Sequence, residues 1–215
     1  MEKNILISII SSYKHTKSRL KYLFDTWYKD SENVIILSDH EDKDNNIFKI
    51  SDDSSYGSNV DKNFNSYKFL RENYPNYDFY LVLDDDTFLN YNNLKTEIQK
   101  YDTNNIYMLG FINEGTLPLD GSLNYCSGGA GCIFNKKTLD ILSEVDNTYR
   151  RSKFADANVG FFCRDRGIKI INNEKFHPRE PEYYNYDDKQ IKEAVTFHYI
   201  KGDDFYKINK IIKNG

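Results

Sequence analysis

The sequence predicts an α/β fold with a mostly parallel central sheet, and two patterns along the chain carry that prediction. Short apolar runs rich in β-branched residues alternate with longer segments whose apolar residues recur at helical spacing. The first two runs are apolar at consecutive positions, which is typical of strands buried on both faces. Because the 215 residues contain no repeat and no Pro- or Gly-rich linker, we expect one domain over residues 1–200 and an exposed, helical tail over residues 201–215.

The predicted strands are the short apolar runs, which hold the centre of the expected sheet. In chain order they cover residues 5–11, 34–37, 47–50, 79–83, 106–111, 133–134, 168–171 and 196–200. Ligands of open α/β sheets bind beyond the carboxyl ends of such strands. The residues that directly follow each run are therefore the first candidates for a functional site.

The predicted helices carry apolar residues three or four positions apart, as at Leu20, Leu23 and Trp27 in the first of them. Pro75 ends the second helix, and Gly167 ends the fifth in a left-handed cap. In chain order the helices cover residues 16–28, 60–74, 92–101, 136–145 and 154–166, and the main loops cover residues 39–46, 115–121 and 178–188.

Charge, hydropathy and cysteine usage exclude several classes of function. The net charge is −4 and no dense Lys/Arg cluster is present, so nucleic acid is not an expected partner. The apolar run at residues 5–10 is too short to cross a bilayer and lacks a signal-peptide cleavage site, so we expect no integral membrane segment. Three cysteines without close spacing indicate reduced thiols. We expect a cytoplasmic setting, that of the host cell if the source is viral.

Three consecutive carboxylates, Asp84, Asp85 and Asp86, follow the strand predicted at residues 79–83. Like charges at a strand end repel one another, and a divalent cation removes that cost. Oxygen ligands suit Mg²⁺ and Mn²⁺. Because side chains alternate along a strand, Asp84 and Asp86 are expected to point the same way. The run predicts a metal site; the alternative is a solvated turn.

A glycine patch at residues 126–131 contains Gly128 and Gly129 and is the second candidate binding element. Residues without bulky side chains let a ligand approach the backbone, whose N–H groups bind sugar hydroxyls or phosphate. The alternative is a tight turn before the next strand. The patch lacks the Lys-Ser/Thr that ends a Walker phosphate loop.

Two single residues complete the candidate set. Asp156 lies at the head of an apolar helix, and His198 lies in a strand-like segment. Each has an ordinary structural interpretation. An acid at a helix N-terminus is favoured by the helix dipole, and a lone histidine in a strand is usually a satisfied core residue.

Together these segments resemble the fringe and core-1 galactosyltransferase branch of glycosyltransferase family 31. The resemblance covers roughly residues 4–200, with its motifs in the family's order. The segments that carry it are Lys14-His15, Ser18-Arg19-Leu20, Thr26-Trp27, residues 35–39, Asp84-Asp85-Asp86-Thr87-Phe88, Ser127-Gly128-Gly129-Ala130-Gly131, residues 156–160 and Phe197-His198-Tyr199.

The resemblance implies a GT-A type Rossmann-like sandwich that uses a UDP-sugar donor and Mn²⁺ or Mg²⁺. By the same resemblance, Asp86 and His198 hold the metal and Asp156 is the catalytic base. The residues that border the donor would be Asp39 and Arg19 at the nucleotide, Asp84 and Asp85 near ribose and donor sugar, and Gly128 and Gly129 in the sugar pocket. One departure matters: Ala155 replaces the first of two acids that the family has in its fourth motif.

The expected activity is inverting transfer of a hexose or N-acetylhexosamine from a UDP-sugar to a hydroxyl of a glycan or glycoprotein acceptor, with a β-1,3 linkage. Two other functions stay open. One is a non-catalytic module that binds a nucleotide-sugar or a glycan. The other is an aspartyl phosphatase, whose Asp-x-Asp-x-Thr motif the chain matches poorly because Phe88 occupies the place of that threonine.

Overall fold

The structure is a computed structural model that describes residues 2–117 and 121–214. Its strands, in chain order, are β1 (Ile5–Ile10), β2 (Val34–Ser38), β3 (Ile47–Lys49), β4 (Phe79–Asp84), β5 (Phe88–Leu89), β6 (Tyr107–Gly110), β7 (Ile112–Leu117), β8 (Gly121–Cys126), β9 (Cys132–Asn135), β10 (Lys169–Asn172), β11 (Phe176–His177) and β12 (Thr196–Phe197). Its α-helices are α1 (Lys21–Asp25), α2 (Asn59–Asn73), α3 (Tyr91–Ile98), α4 (Lys136–Leu142), α5 (Ala155–Asp165), α6 (Asp188–Glu193) and α7 (Asp204–Lys213).

The central sheet has seven strands in the order β10-β6-β9-β4-β1-β2-β3. All neighbours are parallel except β9, which runs antiparallel to both β4 and β6. The carboxyl ends of β1 and β4 lie side by side, since Ile10 pairs with Asp84. The prediction of a mostly parallel α/β sheet is confirmed.

Both faces of this sheet are covered. Along β1, Ile7 and Ile9 pack into one buried cluster while Leu6 packs into the other. Along β4, Leu81 and Tyr80 divide between the same two clusters. This division explains why the strands are apolar at consecutive positions, as parallel strands covered by helices are.

The first predicted helix is shorter and less regular than its apolar spacing indicates. Residues 16–28 form a π-helical turn at Thr16–Leu20, then α1, and then a 3₁₀ turn at Tyr28–Asp30. Thr26 leaves the helical conformation (φ −118°, ψ −111°), and its hydroxyl donates to the Tyr22 carbonyl. A hydroxyl that bonds the preceding turn in this way competes with the helical ladder.

All three predicted loops contain some regular structure, and the loop at residues 39–46 has a 3₁₀ turn at Lys43–Asn45. Residues 115–121 were expected to be a loop, but β7 and β8 pair as an antiparallel hairpin from Ile112↔Cys126 to Leu117↔Gly121; residues 118–120 lie outside the described part of the chain. The loop predicted at residues 178–188 contains a 3₁₀ turn at Pro181–Tyr184 and leads into α6.

The strand predicted at residues 196–200 ends at Phe197, because Tyr199 has φ +63°.

The C-terminal tail is helical, as predicted, but one face of it is buried. Phe205 and Ile208 of α7 join the core cluster that contains Ile7, Ile9 and Leu81. Of the helices in residues 2–117 and 121–214, none has both the length and the apolar character needed to cross a bilayer.

Candidate active site

The ends of β1 and β4 place polar side chains together at the carboxyl edge of the sheet. Ser11 directly follows β1, and its hydroxyl donates to Asp85 Oδ2 at 2.7 Å. The acidic run turns at once, since the Thr87 N–H donates to the Asp84 carbonyl at 3.2 Å. Trp27 Nε1 donates to the Thr87 carbonyl at 3.1 Å and fixes this turn against the first helical segment.

His198 reaches the acidic run because the C-terminal segment pairs with it. β12 runs antiparallel to β5, which follows the run, and the Ile200 N–H donates to the Asp86 carbonyl at 2.9 Å. As a result His198 Nε2 lies 3.1 Å from Asp86 Oδ1 and 3.9 Å from Asp84 Oδ2. Residues more than a hundred positions apart thus share one corner of the molecule.

These three side chains fit a divalent cation. Asp84, Asp86 and His198 each offer one ligand atom, and the three atoms lie within 4.8 Å of one another. The two carboxylate oxygens suit Mn²⁺ or Mg²⁺, and the imidazole nitrogen favours Mn²⁺ of the two because Mg²⁺ is the harder cation and prefers oxygen ligands. The geometry includes Asp84 among the candidate ligands, whereas the resemblance assigned only Asp86 and His198 to the metal.

Arg19 approaches the same carboxylates from the other side. Its Nη1 atom lies 2.6 Å from Asp85 Oδ1 and 3.2 Å from Asp86 Oδ2. With Ser11 and Ser12 these residues line a cavity of about 210 Å³. The geometry therefore brings Arg19, Asp84 and Asp85 to a common cavity, and their roles toward a nucleotide stay a prediction.

Asp39, which the resemblance placed at the nucleotide, does not line this cavity. Its carboxylate is 3% exposed; it accepts from the Tyr13 N–H at 2.7 Å and from the buried Lys62 ammonium at 3.2 Å. Burial opposes ionisation, but these donors outweigh it and the pKa of Asp39 lies below its ordinary value. Asp39 thus fixes the backbone at Tyr13, beside the cavity, rather than facing it.

Gly129 leaves the space that His198 fills. A Cβ atom on Gly129 would lie 2.0 Å from Cε1 of that ring, so only glycine allows the imidazole this position. The Gly129 carbonyl accepts from the Thr87 hydroxyl at 2.6 Å. The glycine patch and the acidic run are therefore one connected structure.

Asp156 lies at the first turn of α5 and faces the glycine patch. Its Oδ2 accepts from the Gly128 N–H at 3.3 Å, and its Oδ1 accepts from the Ala157 N–H at 2.9 Å. Burial raises the pKa of Asp156 although these two donors oppose the shift. A carboxylate with a raised pKa at the wall of a cleft is suited to accept a proton.

The pKa values of Asp84, Asp85 and Asp86 are shifted in different directions. Removal from bulk water raises the pKa of Asp84 to about 7, and the charges of Asp85 and Asp86 add to the shift. The side chain of Asp84 is 39% exposed to solvent, which reduces the effect of desolvation on its pKa. Desolvation also raises the pKa of Asp85, against the Arg19 charge. For Asp86 desolvation acts in the same sense, but His198 and Arg19 outweigh it and lower the pKa.

A second cleft, of about 320 Å³, adjoins the first. Gly128, Gly129 and Asp156 line it, and it shares Asp84, His198 and Tyr199 with the first cavity. Its lining also includes Lys153, Phe154, Pro178 and Arg179, which motif reasoning did not single out.

Tyr199 belongs to the Phe197-His198-Tyr199 segment of the resemblance, but no role was predicted for it. Its ring stacks on His198 with centroids 3.9 Å apart, and its φ of +63° is unusual for an aromatic residue. The left-handed conformation costs an L-residue roughly 1–2 kcal/mol. Its position directly after a candidate metal ligand was the sequence signal that could have indicated a role.

Comparison with known proteins gives a family and distant relatives. A profile of the Fringe-like family matches residues 1–214. Human β-1,3-glucosyltransferase is 21% identical over 202 residues, which are 92% of this chain and 40% of the human protein. The mouse protein of the same name is 24% identical over 135 residues, which are 61% of this chain and 27% of that protein. The chain thus spans less than half the length of these relatives.

Solved structures agree on the architecture. A glycosyltransferase involved in the glycosylation of the major capsid of PBCV-1 superposes with a TM-score of 0.54 at 14% identity, covering 98% of this chain and 100% of that one. The galactosyltransferase LgtC, solved with donor and acceptor sugar analogues, superposes with a TM-score of 0.53 at 13% identity, covering 97% and 95%. The fold is of the GT-A type, as the resemblance implied.

Proposed function

This chain belongs to the Fringe-like family, and from that premise we propose that it is a metal-dependent, inverting glycosyltransferase with a UDP-sugar donor. One observation carries the proposal. The ligand atoms of Asp84, Asp86 and His198 lie together where two cavities meet, one bordered by Ser11 and Arg19 and the other by Asp156. A nucleotide in the first cavity would leave its sugar facing the second.

On the donor side of the site, different residues would bind the metal, the ribose and the donor sugar. Asp86 and His198, with Asp84, would hold Mn²⁺ or Mg²⁺, which when bound neutralises the charge of the departing diphosphate. Asp85 accepts from Ser11 and Arg19, and this fixes one carboxylate at the cavity wall for a ribose hydroxyl. Gly128 and Gly129 keep side chains out of the space where the donor sugar lies.

Asp156 is the base in this proposal. It would take the proton from the acceptor hydroxyl as that oxygen attacks the anomeric carbon. Attack on the face opposite UDP inverts the configuration, so an α-linked donor gives a β-linked product. The Gly128 and Ala157 N–H groups orient the carboxylate for this transfer.

The substrates we propose are a hexose or N-acetylhexosamine donor and a glycan or glycoprotein hydroxyl acceptor, joined by a β-1,3 linkage. The human and mouse relatives are β-1,3-glucosyltransferases, which supports that linkage. The polar lining of the 320 Å³ cleft supports a hydroxyl-rich acceptor.

Incubation with a panel of UDP-sugars and Mn²⁺, with and without glycan acceptors, tests the proposal. We expect slow release of UDP that depends on metal, and product detected by mass spectrometry. Binding of a UDP-sugar without turnover would contradict the proposal in favour of a non-catalytic module. Release of phosphate from phosphomonoesters would contradict it in favour of a phosphatase.

A further inference from the structure

The cleft beside Asp156 carries two cations, Lys153 and Arg179, that the proposed chemistry does not use. Each packs against an exposed aromatic ring: the Lys153 ammonium lies 5.0 Å from the Phe154 centroid, and Arg179 Cζ lies 5.1 Å from the Tyr199 centroid. Phe154 is 48% exposed and Tyr199 is 43% exposed. The cleft therefore has a cation backed by an aromatic ring on each of two separate chain segments.

These segments form different walls of the cleft. Lys153 and Phe154 precede α5, whose first turn holds Asp156, whereas Arg179 and Tyr199 come from the loops that surround His198. Within residues 2–117 and 121–214, neither cation has a hydrogen bond or an ion pair, although Glu180 directly follows Arg179. Both residues are exposed and line the cleft, and no carboxylate of the described residues lies within ion-pair distance of either cation.

The two carboxylates that line the cleft, Asp84 and Asp156, do not form ion pairs with Lys153 or Arg179. Asp156 accepts from backbone N–H groups, and Asp84 lies against His198. Neither lies within ion-pair distance of Lys153 or Arg179 in the described structure. A ligand that brings its own negative charge is the natural partner for the two cations.

The donor diphosphate is less suited to be that ligand. Lys153, Phe154 and Arg179 line the 320 Å³ cleft and not the 210 Å³ cavity on the other side of Asp84, which has cations of its own in Lys14 and Arg19. Arg19 already pairs with Asp85 and Asp86, but a donor nucleotide in that cavity would lie beside Lys14 and the candidate metal site, so its diphosphate does not need Lys153 or Arg179.

We propose that the cleft is a subsite for an acidic saccharide acceptor, one that carries a carboxylate or a phosphate ester. Arg179 and Lys153 bind its anionic group, and the rings of Phe154 and Tyr199 pack against the apolar faces of its sugar rings. This subsite rests on the proposed glycosyltransferase function, which places the acceptor beside Asp156.

The test is a calorimetric titration of the protein, loaded with UDP and Mn²⁺, by methyl β-glucuronide, glucose 6-phosphate and the neutral methyl β-glucoside. We expect at least one acidic sugar to bind about fivefold to tenfold more tightly than the neutral one at low salt. Arg179→Gln and Lys153→Gln should each reduce that preference, and the double variant should abolish it. Lys29→Gln, which removes an exposed charge from the 3₁₀ turn at Tyr28–Asp30, is the matched control and should keep the preference.

Equal affinity for all three sugars, or a preference that survives in the double variant, overturns the subsite. A loss of UDP affinity in Arg179→Gln with the sugar preference intact also overturns it, because Arg179 would then serve the donor phosphates. If UDP and Mn²⁺ do not bind the wild-type protein, the proposed function fails. The same titrations on the protein alone then still decide whether the cleft prefers acidic sugars.

Discussion

At the residue scale, Gly129 controls whether His198 can lie against the acidic run. We predict that Gly129→Ala displaces the imidazole, because its Cβ would lie 2.0 Å from the ring. Loss of a well-placed metal ligand should weaken Mn²⁺-dependent UDP binding by about 10–100-fold. Gly57→Ala is the control, since its Cβ would meet the Ser55 hydroxyl at an ordinary 3.5 Å. Equal UDP affinity in Gly129→Ala and wild type would refute this role for the glycine.

Asp156 gives a second prediction at this scale. Asp156→Asn keeps the shape of the side chain but removes its ability to accept a proton. Transfer should therefore slow by about 10²–10⁴ while UDP affinity in Mn²⁺ is unchanged. Single-turnover kinetics and calorimetry on the same preparation separate the two effects. Transfer at the wild-type rate would show that another group is the base.

Asp84 provides a prediction about pH. Its pKa is raised to about 7 in the folded protein by desolvation, so the folded state holds this proton more tightly than the unfolded chain does. The contribution of Asp84 to stability is therefore fully present below the unfolded pKa of 3.8 and is lost as pH rises through about 7. In EDTA, we expect the melting temperature of wild type relative to Asp84→Asn to fall between pH 5 and pH 8, and Mn²⁺ to reverse the fall.

The exposed carboxylate Asp44 offers the control for that experiment. Asp44→Asn should leave the pH dependence of melting as it is in wild type. If the difference in melting temperature between wild type and Asp84→Asn stayed constant across the whole pH range, the raised pKa of Asp84 would be contradicted.

At the scale of elements, α2 contacts the residues next to the candidate site through Lys62, which binds Asp39 and Ser12. This side chain is fully buried, and its ammonium donates to Asp39 Oδ2 and to the Ser12 hydroxyl. Lys62→Met leaves a buried carboxylate without its partner, which typically costs about 3–5 kcal/mol. We predict that loss of stability in urea unfolding, and recovery of much of it in the double variant Lys62→Met/Asp39→Asn.

Lys21→Met serves as the comparison, because Lys21 pairs with Asp25 at the surface and should contribute little. If Lys62→Met unfolds at the same urea concentration as Lys21→Met, the buried pair of Lys62 and Asp39 does not stabilise the fold.

The elements that sequence reasoning located well are those with a strong local signal. The strands of the central sheet were found because runs such as 79–83 are apolar on both faces. The strands β5, β11 and β12 were missed or misjudged because two residues each leave no periodicity to detect. The helix α6 was missed although its capping box, Asp187 with Gln190, is a readable start signal.

At the scale of the whole molecule, the sequence predicted where the site is better than it predicted what each residue contacts. The strand-end rule pointed to Asp84–Asp86, the lack of bulky side chains pointed to Gly129, and the family resemblance assigned roles to the candidates Asp156 and His198. The partner of Asp39 could not be predicted, since the Lys62 contact depends on how α2 packs. No role was predicted for Arg179 or Tyr199, because Arg179 lies in a predicted loop without a motif and Tyr199 lies in a segment predicted to be a strand.

In the proposed function, UDP binding depends on one divalent cation that Asp86 and His198 hold. The most direct measurement is calorimetry of UDP binding with Mn²⁺ and with EDTA, in wild type and in Asp86→Ala. We predict tight binding only for wild type with Mn²⁺, and none for Asp86→Ala under either condition. Equal UDP affinity with and without Mn²⁺ in wild type, or Mn²⁺-dependent binding that survives in Asp86→Ala, would contradict the claim.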